Sequence, residues 1–421
     1  MLYVAHFVDE PGRYIVRNQA LKLALASLLC SSIGAVCATD TNHPWVDTWA
    51  AAPDSPGSLL KLQTVRQIVR TSVGGSNVRI RLSNLFGTAP LSVGPVHIAV
   101  HATGSAIVPG SDHALLFKGK PEVTIAKGES VWSDPVAMDI KPLRELAVSI
   151  YLPASTVDSP LTIHNSGMAT AYITESGDAT STVQFPSGET SGSRFLLTDI
   201  AVAAPPATRS IVAFGDSITD GANSAYGANQ RWPDFLAARL QADAKLSSIG
   251  VANSGIGGNR ILHDGFGPSA LSRFDRDALD KPGVHWIILL EGINDIGVSD
   301  AAVSGKDKVS AQQIIDGMKT LIARAHAKNI KIYGATVVPF GGHEWPYHSV
   351  AGEKERQAVN AWIRNSNAFD GVVDFDQAIR DPAHPEQMLP VDDSGDHLHP
   401  SSEGYRAMAG AIDLTLFSVQ P

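Results

Sequence analysis

From Ile211 onward the chain repeats one texture: a short, uninterrupted apolar run, then a longer segment with apolar residues three and four apart. The runs are IVAF (211–214), WIILL (286–290), KIYGATVVPF (331–340) and GVVDF (371–375). A strand without polar alternation has both faces covered. WPDFLAARL (232–240), with Pro233 near its first turn, AQQIIDGMKTLIARAHA (311–327) and KERQAVNAWIR (354–364) read as helices. In the second, Ile314, Ile315, Met318, Leu321 and Ile322 fall on one face. Buried strands alternating with amphipathic helices predict an α/β fold, a parallel sheet with helices on both sides. In such sheets ligands bind beyond the carboxyl ends of the strands. Chemistry is therefore expected directly after each apolar run.

The preceding part of the chain has a different period. VRIRL (78–82) alternates Val78, Ile80 and Leu82 with two arginines, and VHIAV (96–100) and LAVSIYL (146–152) alternate likewise. Runs of this kind recur between Gly, Pro, Ser and Asp clusters, which predicts an all-β, jelly-roll-like sandwich over residues 45–202. AAPPAT (203–208) reads as a short linker, and residues 209–421 form the α/β part. A sandwich tied so closely is expected to shape the cleft of its neighbour.

Residues 1–38 read as a cleaved signal peptide: Arg13, Arg17 and Lys22, the apolar run LALASLLCSSIGAVC (23–37), then a V-x-A pattern at Val36-Cys37-Ala38. The run is short for a membrane span, which needs about 20 apolar residues. The long stretch before it makes a start downstream of Met1 an alternative. The expectation is a secreted or periplasmic protein with no membrane span in the mature chain. Both cysteines, Cys30 and Cys37, lie in this segment, so the mature chain would hold no disulfide, thiol nucleophile or thiolate metal site. A net charge of −9 speaks against nucleic acid or an anionic membrane as partner and suits a small-molecule or glycan substrate without charge.

Four segments at the predicted strand ends carry candidate chemistry. GDSITDG (215–221) puts Ser217 on a sharp turn after a buried strand; such a serine is either a turn former or a nucleophile awaiting a base. NSGIGGN (253–259) lets backbone N–H groups approach a ligand closely. It is neither a dinucleotide loop, since Arg260 stands where the third glycine belongs, nor a phosphate-cradling loop, which would end in Gly-Lys-Ser/Thr. GIND (292–295) supplies Asn294, whose amide either forms a turn or donates to a developing oxyanion. DHLHP (396–400) offers Asp396 and His399, three residues apart, as an oriented imidazole; Pro400 biases His399 to extended backbone.

Together and in this order, GDSITDG, NSGIGGN, GIND and DHLHP resemble the four blocks of the SGNH hydrolases, also called GDSL esterases/lipases, over roughly residues 209–415. The resemblance implies a flavodoxin-like three-layer α/β/α domain and a Ser-His-Asp esterase without metal or organic cofactor. It makes Ser217 the nucleophile, His399 the base and Asp396 its partner. It assigns the oxyanion hole to the Ser217 N–H, the Gly258 N–H and the Asn294 side chain. Gly257 departs from the pattern, because many relatives have Ser before the oxyanion glycine. The phrases LSRFDRDAL (271–279) and RWPDFLAARL (231–240) look like a secreted bacterial branch with a β-sandwich in front.

HEWPYH (343–348) is not a zincin motif: its histidines are five apart and Pro346 breaks the helix that motif needs. His343, Glu344 and His348 are placed in the loop after the VVPF run. Asp216 and His343 are carried as candidate substrate contacts. His97, His101 and His164 lack carboxylate or cysteine neighbours at ligand spacing and are not expected to bind metal; Trp232 and Trp286 read as core. His397 is expected to point away from Ser217, with Asp392 and Asp393 as loop formers and Asp393 as the fallback acid. The functional expectation is an esterase for short-chain acyl esters. Its rivals are a polysaccharide acetylesterase whose sandwich holds glycan and a non-catalytic binding or adhesion protein.

Overall fold

The structure is a computed structural model that describes residues 44–154, 158–301, 307–344 and 346–418. The expected signal peptide lies outside the described residues. The α/β part is built on a parallel sheet whose strands, in chain order, are Arg209–Gly215, Ile249–Gly255, Val284–Leu290, Lys331–Ala335 and Gly371–Val373. Their spatial order is 2-1-3-4-5, with every neighbouring pair parallel. This is the flavodoxin-like order, and its switch point lies between the first strand and its two neighbours. Ile211, Val212, Ile287 and Ile288 are completely buried, as an uninterrupted apolar strand requires. Helices Trp232–Ala242, Ala311–Ala327 and Val350–Asn365 cover the sheet. The middle one starts on a capping box, Ser310 with Gln313, and buries Ile314, Met318 and Leu321.

Two apolar runs end earlier as strands than their composition suggests. KIYGATVVPF stays in the sheet only to Ala335. Asn360 and Arg356 of the covering helix take the backbone of Val337 out of the ladder: the N–H donates to Asn360 Oδ1 at 2.7 Å and the carbonyl accepts from Arg356 at 3.0 Å. GVVDF ends at Val373 because Asp374 caps the helix Phe375–Ile379.

The N-terminal part consists of antiparallel sheets. One pairs Trp45–Ala50, Leu197–Ala203, Gly75–Ser83 and Val136–Ile140 in that order. A second runs through Ala171–Thr174, Gln63–Arg70, Glu145–Leu152 and Val96–Val100. Val78, Ile80 and Leu82 meet Val65, Leu146, Val148 and Ile150 in one core. On the outer face Arg79 lies over Trp45 and Trp132, at 4.3 and 4.4 Å from the ring centres. The Glu145–Leu152 strand does not alternate, because both its faces are covered. On its far face the buried Arg66 bonds Ser149 and ties down the carbonyls of Ser105, Thr180 and Thr182.

The two parts are bonded to each other directly. The Asp47 N–H donates to the Pro282 carbonyl at 2.9 Å, the Val251 N–H to Ser72 Oγ at 2.8 Å, and Lys281 pairs with Asp199, both buried. His164, on the strand Leu161–His164, reaches Asp220 of the α/β part. The cleft beyond the carboxyl ends of the parallel strands thus has a wall from each part of the chain.

Candidate active site

Ser217 is the first residue of a one-turn helix, Ser217–Asp220, entered straight from the first strand. Its own N–H, at the first helical position, has no intrahelical partner. Asp216 is the N-cap: its side chain accepts from the Ile218 N–H at 2.9 Å. Burial, only partly offset by that bond and by His399, raises the Asp216 carboxyl to about 7. Asp216 is buried beneath the turn, so its visible contact is with the helix start.

The loop Gly395–Pro400 carries His399 to the same point. His399 Nε2 lies 2.9 Å from Ser217 Oγ, and Nδ1 lies 2.7 Å from Asp396 Oδ2. The carboxylate fixes the proton on Nδ1, leaving Nε2 to accept from the serine hydroxyl. Burial would raise Asp396, but the bond from His399 and the N–H groups of His399 and Leu398 outweigh it and hold the carboxyl well below the usual range. His397, with φ of 58°, turns the other way: its Nδ1 meets Asp393 at 2.5 Å. Asp393 is therefore the partner of the second histidine.

The oxyanion candidates converge from the next two strand ends. Gly258 sits at φ 70°, and a Cβ there would lie 2.7 Å from the Phe266 ring, so a glycine is needed. Asn294 is buried at the start of the helix Ile293–Ala301. One hydrogen of its amide goes to the Asn259 carbonyl at 2.9 Å, and the second has no partner among the described residues. Around Gly257 a Cβ would meet nothing within 4 Å, so the departure from serine at this position leaves open space.

Residues 213–407 match the GDSL-like Lipase/Acylhydrolase family. The matched residues all lie in the α/β part of the chain. Among solved structures, a GDSL-like lipase from Bacteroides thetaiotaomicron is similar at 20% identity and a TM-score of 0.36, covering 49% of this chain and 87% of its own. An acetylxylan esterase from Geobacillus stearothermophilus is similar at 22% identity and a TM-score of 0.38, covering 48% and 91% respectively. No curated protein matches the chain.

The GDSL-like domain holds its blocks together with side chains that sequence reasoning passed over. Arg273, in the LSRFDRDAL phrase, is buried beneath three strand ends. It donates to the Gly215 and Ser254 carbonyls at 2.8 Å each and to Asn259 Oδ1 at 2.9 Å, and lies 3.4 Å from Glu291. Its guanidinium also lies 3.9 Å from the centre of the Phe214 ring. Burial raises Glu291 well above the usual carboxylate range, aided by the nearby charge of Asp216. Asp295 accepts from Ile261 and Leu262 N–H groups, and burial lifts it to about 6.

Tyr347, from HEWPYH, donates its hydroxyl to Asn294 Oδ1, which fixes which way the amide faces. Its ring lies where a side chain at position 297 would be: a Cβ on Gly297 would come within 2.2 Å of it. His343 Nδ1 lies 2.8 Å from the Asp396 carbonyl, so the visible bond of this expected substrate contact is to the loop that carries His399. Asn223 donates to Asp396 Oδ2 at 2.9 Å.

The β-part histidines do have carboxylate neighbours, contrary to the local spacing. His97 meets Asp112 at 2.8 Å, His101 meets Glu145 at 2.7 Å, and His164 meets Asp220 at 3.0 Å. Each partner is 15 or more positions away in the chain, beyond the reach of a spacing rule. Trp232 and Trp286 are core, as expected.

Proposed function

We propose that the protein is a serine ester hydrolase for carboxylic, short-chain acyl esters. The observation that carries this reading is the continuous line from Ser217 Oγ through His399 to Asp396, at 2.9 and 2.7 Å. Ser217 attacks the ester carbonyl while His399 Nε2 takes its proton; Asp396 holds the imidazole and stabilises its charged form. The developing oxyanion meets the N–H groups of Ser217 and Gly258 and the free amide hydrogen of Asn294. Loss of one such donor costs about 2.7–4 kcal/mol in comparable sites. His399 returns the proton to the leaving alcohol, and a water activated by His399 then releases the acid and restores the serine. No step calls for a metal or organic cofactor.

The test is hydrolysis of p-nitrophenyl acetate by the wild type and by Ser217→Ala. The expected outcome is loss of at least about 1000-fold in kcat in the variant. Equal rates, or no rate in either, would remove the assignment. A series from acetate to palmitate measures the acyl preference.

A further inference from the structure

The Asp396 carboxylate is held first by its own loop. Oδ1 accepts from the N–H groups of Leu398 at 2.9 Å and His399 at 2.8 Å and from the Ser394 hydroxyl at 3.2 Å, and Oδ2 accepts from His399 Nδ1 at 2.7 Å. Among the described residues one further donor reaches it, and that donor lies far away in the chain: Asn223 Nδ2, 2.9 Å from Oδ2. We infer that Asn223 is a positioning residue, which sets the Asp396 carboxylate in register with Ser217 and tempers how strongly that carboxylate draws a proton to His399. The inference rests on the ester-hydrolase reading and adds what governs the base of that site.

Asn223 belongs to the segment that carries Ser217. The Ser217 carbonyl accepts from the N–H groups of Gly221 at 2.8 Å and Ala222 at 2.9 Å. The Ala222 carbonyl accepts from the hydroxyl of the buried Tyr405 at 2.7 Å, and the Ala225 N–H donates to Ser402 Oγ at 3.0 Å. Asn223 itself stands at φ 62°, a conformation that asparagine enters more readily than most residues with a Cβ. The turn is thus tied down on both sides of the residue. The amide spans both oxygens of the carboxylate. One hydrogen goes to Oδ2; the other goes to Ser394 Oγ at 3.0 Å, and that hydroxyl donates in turn to Oδ1. The relay from Ser217 through His399 to Asp396 therefore closes on itself through Asn223.

A donor on Oδ2 draws charge from the oxygen that faces His399 Nδ1. The Asp396 side chain is 36% exposed, and the amide opposes its turning towards water. The titratable groups nearby do not bond the carboxylate. Asp216 lies beneath Ser217 and its charge bears on His399; Tyr405 lies near Asp396; His343 Nδ1 meets the Asp396 carbonyl at 2.8 Å; His397 pairs with Asp393. Asn223 is neutral throughout, so replacing it changes the field at Oδ2 and leaves these groups in place.

The experiment compares the full chain as wild type, Asn223→Gly and Asn223→Asp, with melting curves to show that each folds. Glycine accepts φ 62° and removes only the side chain. Aspartate keeps the size, removes the donor and adds a charge. On p-nitrophenyl acetate the plateau kcat is expected to fall about five- to tenfold in both variants, with KM unchanged. The acid limb of kcat/KM is expected to move up by about half a pH unit in Asn223→Gly and about one unit in Asn223→Asp, because a freed or added negative charge favours the proton on His399. A side chain that only props the loop would lower the melting temperature and leave the limb where it is. An unmoved limb in both variants, or a wild-type kcat in both, overturns the inference. If Asn223→Asp does not fold, Asn223→Gly decides alone. NMR titration of the His399 ring reads the same shift without turnover, and identical curves in the folded proteins overturn the inference. A wild type inactive on every ester, with that NMR shift present, removes the hydrolase reading and leaves the action of Asn223 on Asp396 and His399 standing.

Discussion

His164→Gln tests whether the β part supports the serine through a buried charge. His164 is only 4% exposed, and every polar group near its ring nitrogens accepts hydrogen bonds. Nδ1 faces the Ala52 carbonyl at 2.8 Å; Nε2 faces Asp220 Oδ1 at 3.0 Å and the Ser166 carbonyl at 3.2 Å. A neutral imidazole can donate through one nitrogen only, so this geometry asks for the imidazolium. Burial opposes the charge, but Asp220, Asp54 and the Ala52 carbonyl overcome it and raise His164 from 6.5 to about 9. Arg194 and Arg231 stand near the same Asp220 without displacing it from the histidine. Asp220 closes the helix that Ser217 opens, so this pair anchors the turn of Ser217 to the β part.

That rise is worth roughly 3 kcal/mol at about 1.4 kcal/mol per unit. Breaking a buried pair costs about 3–5 kcal/mol by comparison, so the two figures agree. The folded value lies above the unfolded one. The stabilisation is therefore complete below about pH 6.5 and is lost as pH rises through about 9. At pH 6 the variant should melt about 4 °C below wild type if the unit unfolds cooperatively. By pH 10 the gap should nearly close, because the wild type has by then lost the charge that the variant never had. Hydrolysis of p-nitrophenyl acetate at pH 6 should fall about tenfold as the turn loosens. A gap in melting temperature that stays constant between pH 6 and pH 10 would refute the buried imidazolium.

Three further substitutions probe the framework of the site. Tyr347→Phe frees the Asn294 amide to flip, so kcat should fall about tenfold with KM unchanged; a wild-type kcat would show that the hydroxyl does not orient the donor. Arg273→Met leaves Glu291 and three carbonyls without their donor, and urea unfolding should register a loss of about 3–5 kcal/mol, against which a change under 1 kcal/mol would count. Gly257→Ser enters open space and should keep both melting temperature and kcat within about twofold of wild type, whereas Gly258→Ala, at positive φ and against Phe266, should lose about 1 kcal/mol or more and most of its kcat. Equal behaviour of the two glycine variants would contradict the placement of the oxyanion loop.

The parallel sheet was legible because its signal is local. IVAF and WIILL can only be strands covered on both faces, and each helix between them carries its own apolar stripe. Ser217 and Asn294 followed from the same logic, since GDSITDG stands directly after IVAF and GIND after WIILL, whereas Gly258 and His399 were picked out by their own short blocks. Strand ends were less legible. Where KIYGATVVPF leaves the sheet is decided by Asn360 and Arg356, more than 15 residues downstream. No property of Val337 announces it.

The same difference in range separates the groups proposed to react from the groups that hold them. Asp396 finds His399 three positions along, so spacing alone exposes the pair. Arg273 has one near partner, Asp277 four positions along at 3.5 Å, but its bonds to the strand ends are distant: it reaches Gly215, 58 positions back, and Glu291, 18 positions ahead. Tyr347 meets Asn294 across 53 positions, and His164 meets Asp220 across 56. Their residue types did carry a weak trace. An arginine amid apolar neighbours at 273 and a histidine closing the apolar strand LTIH are costly to bury, and a buried charge must have a partner. What the pattern could not supply was the identity of that partner, because it depends on how the β part packs against the turn of Ser217. The β part reaches this region through His164, which meets Asp220 at the end of the helix that Ser217 opens. Severing it should therefore cost the turn of Ser217 its anchor, which removing a binding module on a flexible tether would not do.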